Sequence, residues 1–275
     1  MKLQPGIAIS PRKTNFGPIM FSGRLNEGLK DLNQAGFHFV ELSLRTVEDV
    51  DADELNKKLS DLDINVTAVA TGQAFLFDGL SLGSDDRSIR EKAIEHFNKM
   101  TVFAKKINAG QMILGGMRGN LAGTGDEFKK NFENGLAAIR TVAEFTDKND
   151  IPLAFEPINR YETNWIHTLQ EGCDFLDKIG IDSAKLLIDT FHMNIEEANM
   201  AAAIKSAGKK VGYVHFADNT RYPPGQGAIN YRKVLDALDS INYSGPVVTE
   251  ALPLPDDNTA VLNTAKFWQD MSIAL

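Results

Sequence analysis

The chain has 275 residues, 43% of them hydrophobic, with a formal charge of −8 and one cysteine. A pI near 5.2 argues against a nucleic-acid partner, because phosphate backbones are held by clustered Lys and Arg; a single thiol excludes an internal disulfide. The opening MKLQPGIAIS carries an apolar run too short for a secretory signal, and no stretch of about 18 apolar residues occurs. A cytoplasmic protein with no membrane contact is therefore expected.

In chain order, strand-like runs fall at 6–10, 39–44, 65–71, 111–115, 152–156, 185–190, 212–218 and 246–250. Between them lie helical patterns with apolar residues every three to four positions, such as Ile94, Phe97, Met100, Ala104, Ile107 and Phe128, Phe132, Leu136, Ile139, Val142. A last helix at 260–275 follows the eighth strand. The stripe Leu169, Gly172, Cys173, Leu176, Ile179 places the lone cysteine on a buried helix face, as a small core residue rather than a nucleophile. The strands are near-continuous hydrophobic runs, the pattern of parallel strands covered on both faces. Eight such units predict a (β/α)8 TIM barrel occupying residues 1–275 as a single domain. A doubly wound open sheet would want a glycine-rich phosphate loop after the first strand, and SPRKTNFGP is not one.

A barrel brings the C-terminal ends of its strands to one mouth. In FEPINRYETNW the fifth strand finishes on Glu156, with Glu162 six residues later. KLLIDTFH delivers Asp189 and His192, VGYVHFADNTR delivers His215 and Arg221, and VVTE delivers Glu250. Taken singly, each has a structural reading: a helix cap for Glu156 or Asp189, a satisfied core histidine for His215. Four successive strands ending in Glu, Asp, His and Glu point instead to a site. Three carboxylates and one imidazole form a hard donor set suited to one divalent ion, Mn²⁺ first, with Mg²⁺ or Co²⁺ accommodated, and one thiol cannot build a Cys-type zinc centre. Such an ion polarises a sugar carbonyl, so that a carboxylate can remove a proton from the neighbouring carbon and leave an enediolate. That is chemistry for isomerising or epimerising a ketose.

EPINRYE, DTFHMNIEE, HFADNTRYPPGQG and the closing VVTE resemble the xylose isomerase-like sugar phosphate isomerase/epimerase superfamily, in particular its ketose 3-epimerase branch. The likeness extends through TGQAFLFDGLSL and SDDRSIREKAI, and within the branch it is nearest to the 5-keto-L-gluconate epimerases. The resemblance implies that Glu156, Asp189, His215 and Glu250 are the metal ligands. It further implies that Glu156 and Glu250 double as an acid/base pair on opposite faces of the reacting carbon, and that Glu162, His192 and Arg221 hold oxygens at the C1–C2 end of the sugar. Inversion does need two flanking carboxylates, since a single base would return the same epimer. A homo-oligomer, dimer or tetramer, is expected.

An endonuclease IV-like nuclease would need more than the five histidines present and a basic groove. A sugar-binding regulatory barrel has no need of opposed carboxylates. An aldose–ketose isomerase, a hydroxypyruvate isomerase and an inosose dehydratase share similar mouths. For the far end of the sugar, the candidates are Arg12 and Lys13 after the first strand, Gln73 and Phe75 after the third, and Arg118 after the fourth. Arg118 is preferred: it follows QMILGG, whose paired glycines allow close approach, and its planar fork suits a carboxylate or phosphate.

Overall fold

Eight short, apolar, parallel strands pair in sequence order and close on themselves: β1 (Gln4–Ile9), β2 (Phe39–Ser43), β3 (Asn65–Ala70), β4 (Met112–Leu114), β5 (Leu153–Phe155), β6 (Lys185–Asp189), β7 (Val211–Phe216) and β8 (Pro246–Thr249). β8 returns to β1 through the register Gly6↔Val248. The expected (β/α)8 TIM barrel is thus the observed one. The computed structural model describes residues 2–14 and 17–275, so Asn15 and Phe16 of SPRKTNF lie outside the described residues.

The helices form the outer layer: α1 (Leu25–Gln34), α2 (Ala52–Asp61), α3 (Gly72–Asp78), α4 (Arg87–Lys106), α5 (Gly125–Lys148), α6 (Leu169–Ile179), α7 (Thr190–Glu196), α8 (Met200–Ala207), α9 (Tyr231–Ser240) and α10 (Asp257–Asp270). α6 shows how locally specified they are. Thr168 and Glu171 form a reciprocal capping box at its start, Gly180 takes a left-handed φ of 72° at its end, and the stripe containing Cys173 is buried between. Among the described residues, no helix is long and apolar enough to cross a membrane.

Three departures from the sequence reading matter. α3 follows β3 directly at the mouth, and two helices rather than one join β6 to β7. The last helix stops at Asp270, where Met271 caps it and Ser272 turns to a φ of 60°. The strands also stop earlier than expected. Asp189 is the last residue of β6 and His215 the last but one of β7, whereas Glu156 and Glu250 are the first residues beyond β5 and β8. Freed from the ladder, these two glutamates can aim across the mouth rather than along the pleat.

Inside the barrel, small and branched residues fill the lumen: Ala8, Ala68, Ile113, Ala154 and Leu187 pack with Tyr213, and Ile19 from the loop after β1 packs among them. Alanines at facing positions leave space that larger lumen side chains occupy, which matters for Glu41 below.

Candidate active site

Glu156, Asp189 and His215 are brought together as the sequence reading expected. One ligand atom from each lies within 4.8 Å of the others, and all three residues are buried. Asp189 uses Oδ1 to cap α7, accepting from Phe191 N at 2.7 Å, so the helix-cap reading holds for that oxygen. Its Oδ2 has no partner among the described residues, nor has Nδ1 of His215. Glu156 owes its position to Gly115: a side chain there would occupy the space of the Glu156 carboxylate. The paired glycines after β4 therefore make room for a site residue.

Glu250 stands slightly apart. It is not in that tight group; its Oε2 accepts from Arg221 Nη2 at 3.2 Å. Arg221 Nη1 donates in turn to Glu162 Oε1 at 3.1 Å, and its guanidinium lies 4.6 Å from the centre of the Phe191 ring. Arg221 has a left-handed φ of 61°, a conformation held by Asp218. The fully buried Asp218 accepts backbone N–H groups of Asn219, Gly225 and Ile229 through its side chain, and its own carbonyl accepts from Arg221 N at 2.8 Å.

His192 is oriented by a residue the sequence reading missed. Asn159 Oδ1 accepts from Tyr161 N at 2.9 Å, which turns its Nδ2 toward Glu162 Oε1 at 2.9 Å and His192 Nδ1 at 2.7 Å. With Nδ1 accepting, the His192 proton sits on Nε2. That nitrogen is 3.7 Å from Glu156 Oε1 and 3.8 Å from Asp189 Oδ2, too far for hydrogen bonds but aimed into the site.

Arg118 lies in a wall of the site. It is fully buried, stacked between the rings of Phe155 and Trp165 at 5.3 and 5.7 Å. Its Nη2 donates to Ile166 O at 2.9 Å, while Nε and Nη1 have no partner among the described residues. It lines the mouth cavity together with Gln73, Phe75, Ile113, Ile158 and Thr163. Gln73 donates to Ser10 Oγ and Ser43 O, both at 2.9 Å, and its Oε1 has no partner among the described residues. Arg12 is paired with Asp49 at 2.8 Å, and neither Arg12 nor Lys13 lines the cavity.

The electrostatics follow from crowding acids in a dry place. Burial pushes the Glu156 carboxyl well above the usual range, and the charges of Glu250 and Asp189 push it further against the pull of His215. Asp189 is raised to about 6, chiefly by burial. Burial would lower His215, but the adjoining Glu41 carries it up to about 10. His192, buried and near Arg221, is held well below its ordinary value and is neutral. Burial brings Arg118 down to about 9. Carboxylates that resist ionisation beside unpartnered oxygen and nitrogen atoms are an arrangement a cation would relieve, and a mainly oxygen donor set fits a hard divalent ion.

The family model described as "Xylose isomerase-like TIM barrel" matches residues 29–270. The chain belongs to that family. An L-ribulose 3-epimerase of Mesorhizobium japonicum is 32% identical over 231 residues, covering 82% of this chain and 75% of that one. A D-psicose 3-epimerase of Enterocloster bolteae is 38% identical over 133 residues, 48% of this chain and 44% of the other. Among solved structures, an L-ribulose 3-epimerase superposes with a TM-score of 0.82 at 26% identity, over 97% of this chain and 94% of that one. These relatives of the xylose isomerase-like barrel are isomerase-class enzymes.

Besides Asn159, this family member carries a second site residue that the sequence reading did not name. Glu41, in the middle of the β2 run FVELS, is fully buried and lies 2.7 Å from His215 Nε2. Asn159 was discoverable, since it lies three residues past Glu156 inside EPINRYE. Glu41 had one signal, a charge interrupting an apolar strand.

Proposed function

We propose that this chain is a divalent-metal-dependent ketose 3-epimerase acting on a free sugar. The observation that carries the reading is the close group of Glu156, Asp189 and His215, with Asp189 Oδ2 and His215 Nδ1 unpartnered, in a chain whose relatives are named ketose 3-epimerases. Glu156, Asp189, His215 and Glu250 would hold the ion, Mn²⁺ by preference, with Mg²⁺ or Co²⁺ alternatives. When bound, a divalent ion supplies Lewis-acid polarisation of the substrate carbonyl and makes the adjacent C–H acidic.

The protein's own groups do the rest. Glu156 and Glu250 follow strands on different sides of the mouth, so one takes the C3 proton from one face and the other returns a proton to the opposite face. Glu156, buried in the close ligand group, is fixed in place for that transfer. Arg221 and the Nε2–H of His192 donate to the oxygen that gains charge as the enediolate forms. Glu162, tethered by Arg221 and Asn159, accepts from a hydroxyl at the same end, and Gln73 Oε1 accepts from one further along. Phe75, Ile113 and Ile158 line the cavity and keep water from the enediolate.

A second reading, a keto-hexuronate substrate, is favoured by one observation: Arg118 lines the cavity with two nitrogens unpartnered. The test is to incubate Mn²⁺-loaded protein with neutral ketoses, keto-hexuronates and ketose phosphates and to identify the products. A C3 epimer supports the proposal. An aldose, or a product lighter by one water, would replace it with an isomerase or a dehydratase.

A further inference from the structure

We propose that Glu41 is a positioning residue for metal binding: from the back of the barrel its carboxylate accepts the Nε2 proton of His215 and holds the ring so that Nδ1, facing Glu156 and Asp189, is the nitrogen that would give up its proton to a bound ion. This rests on the reading above that the site holds a divalent ion.

Four observations support it. Glu41 lies on β2 opposite Ala8 of β1 and Ala68 of β3, two residues small enough for a long side chain to reach through the lumen toward β7. Its Oε2 is 2.7 Å from His215 Nε2, with both residues buried. Two acceptors do not meet at that distance, so the proton is on Nε2. Among the described residues, His215 is the one hydrogen-bond partner of Glu41 Oε2. Thr67 gives its hydroxyl proton to Val40 O at 3.0 Å, so the Tyr213 hydroxyl, 2.6 Å from Thr67 Oγ1, donates there. Glu41 Oε1 has no partner among the described residues.

The ring is also held from the side. Tyr213 meets His215 edge-on, with centroids 5.6 Å apart and planes at 78°. With Nε2 anchored behind and the ring clamped, Nδ1 is left on the site side, 3.9 Å from Glu156 Oε1 and without a hydrogen bond. A carboxylate behind a ligating imidazole fixes its tautomer and raises its basicity, and loss of such a partner commonly weakens metal binding by roughly 10- to 100-fold. A carboxylate that merely stabilised the barrel would change the melting temperature and leave the affinity alone.

The experiment compares metal-stripped wild type, Glu41→Gln and Glu41→Leu, each titrated with Mn²⁺ and followed by the electron paramagnetic resonance of the free ion. Thermal melts run alongside. Glu41→Gln keeps an acceptor without the charge and is expected to bind roughly 10-fold more weakly; Glu41→Leu, with no acceptor, roughly 100-fold. Folded variants that bind Mn²⁺ like wild type would overturn the role. Should both variants fail to fold, histidine ¹⁵N resonances of the Mg²⁺-saturated wild type decide the matter: a proton on Nε2 of His215 supports the role, and one on Nδ1 overturns it. If wild type itself binds no Mn²⁺, the metal reading of the site fails and this role fails with it. Wild-type binding with unaltered variants would remove Glu41 alone.

Discussion

Arg221 Nη2 donates to Glu250 Oε2 at 3.2 Å, so the glutamate after β8 has a cation of its own while Glu156, Asp189 and His215 face one another. The two glutamates assigned to proton transfer thus differ in environment. Glu156 is a member of the close ligand group; Glu250 leans toward the arginine that also holds Glu162.

That difference separates the two in a mutational test. Glu156→Gln and Glu250→Gln should each lower kcat by roughly 10²- to 10⁴-fold, because one face of the carbon loses its acid/base. Metal content should fall much further in Glu156→Gln than in Glu250→Gln. A variant of either residue that keeps both metal and substantial epimerisation would refute the two-carboxylate mechanism.

Removal of the ion should abolish turnover. Dialysis against EDTA is expected to give an inactive, folded protein that regains activity best with Mn²⁺ or Co²⁺, following the donor set of Glu156, Asp189, His215 and Glu250. Atomic absorption should find about one ion per chain in the restored enzyme. Full activity in a protein shown to be metal-free would contradict the assignment.

Asp218 should matter although it touches no substrate. Its carboxylate satisfies three backbone N–H groups of the loop that presents Arg221, and Asp218→Ala leaves buried donors unpaired. The expected cost is roughly 2–4 kcal/mol of stability, read by chemical denaturation, together with a raised KM as Arg221 loses its fixed φ of 61°. An unchanged KM would show that Arg221 is held by its acids alone.

Arg118 tests the charge of the substrate. Because the side chain is fully buried between Phe155 and Trp165, Arg118→Ala opens a cavity and should lower the melting temperature whatever the substrate. If the keto-hexuronate reading holds, KM for a ketohexuronate rises roughly 10- to 100-fold while that for a neutral ketohexose changes little. Equal effects on both substrates would make Arg118 a wall residue only.

The barrel and the mouth were legible in the sequence because parallel strands need continuous apolar runs and a barrel collects their ends. Glu156, Asp189, His215, His192 and Arg221 all follow from that rule. The expected strand ends at Glu156 and Glu250 lie one residue beyond the observed ones, since an acid after an apolar run does not say whether it is still laddered. The roles of Asn159 and Glu41 depend on geometry: the position of Asn159 is visible in EPINRYE, but its role is not. Asn159 works through an amide orientation set by Tyr161 N, and Glu41 through a contact spanning 174 positions. The burial of Arg118 was likewise invisible, for it depends on Trp165 folding back so that its Nε1 donates to Gly119 O at 2.8 Å.

Exchange of the C3 proton of a ketose by a carboxylate pair leaves an isotopic trace. Mn²⁺-loaded protein incubated with a ketose in D₂O should return the C3 epimer with one deuterium at C3, because the proton taken by one glutamate and the one delivered by the other come from groups that equilibrate with solvent. An epimer formed without deuterium at C3, or deuterium confined to C1, would contradict the account.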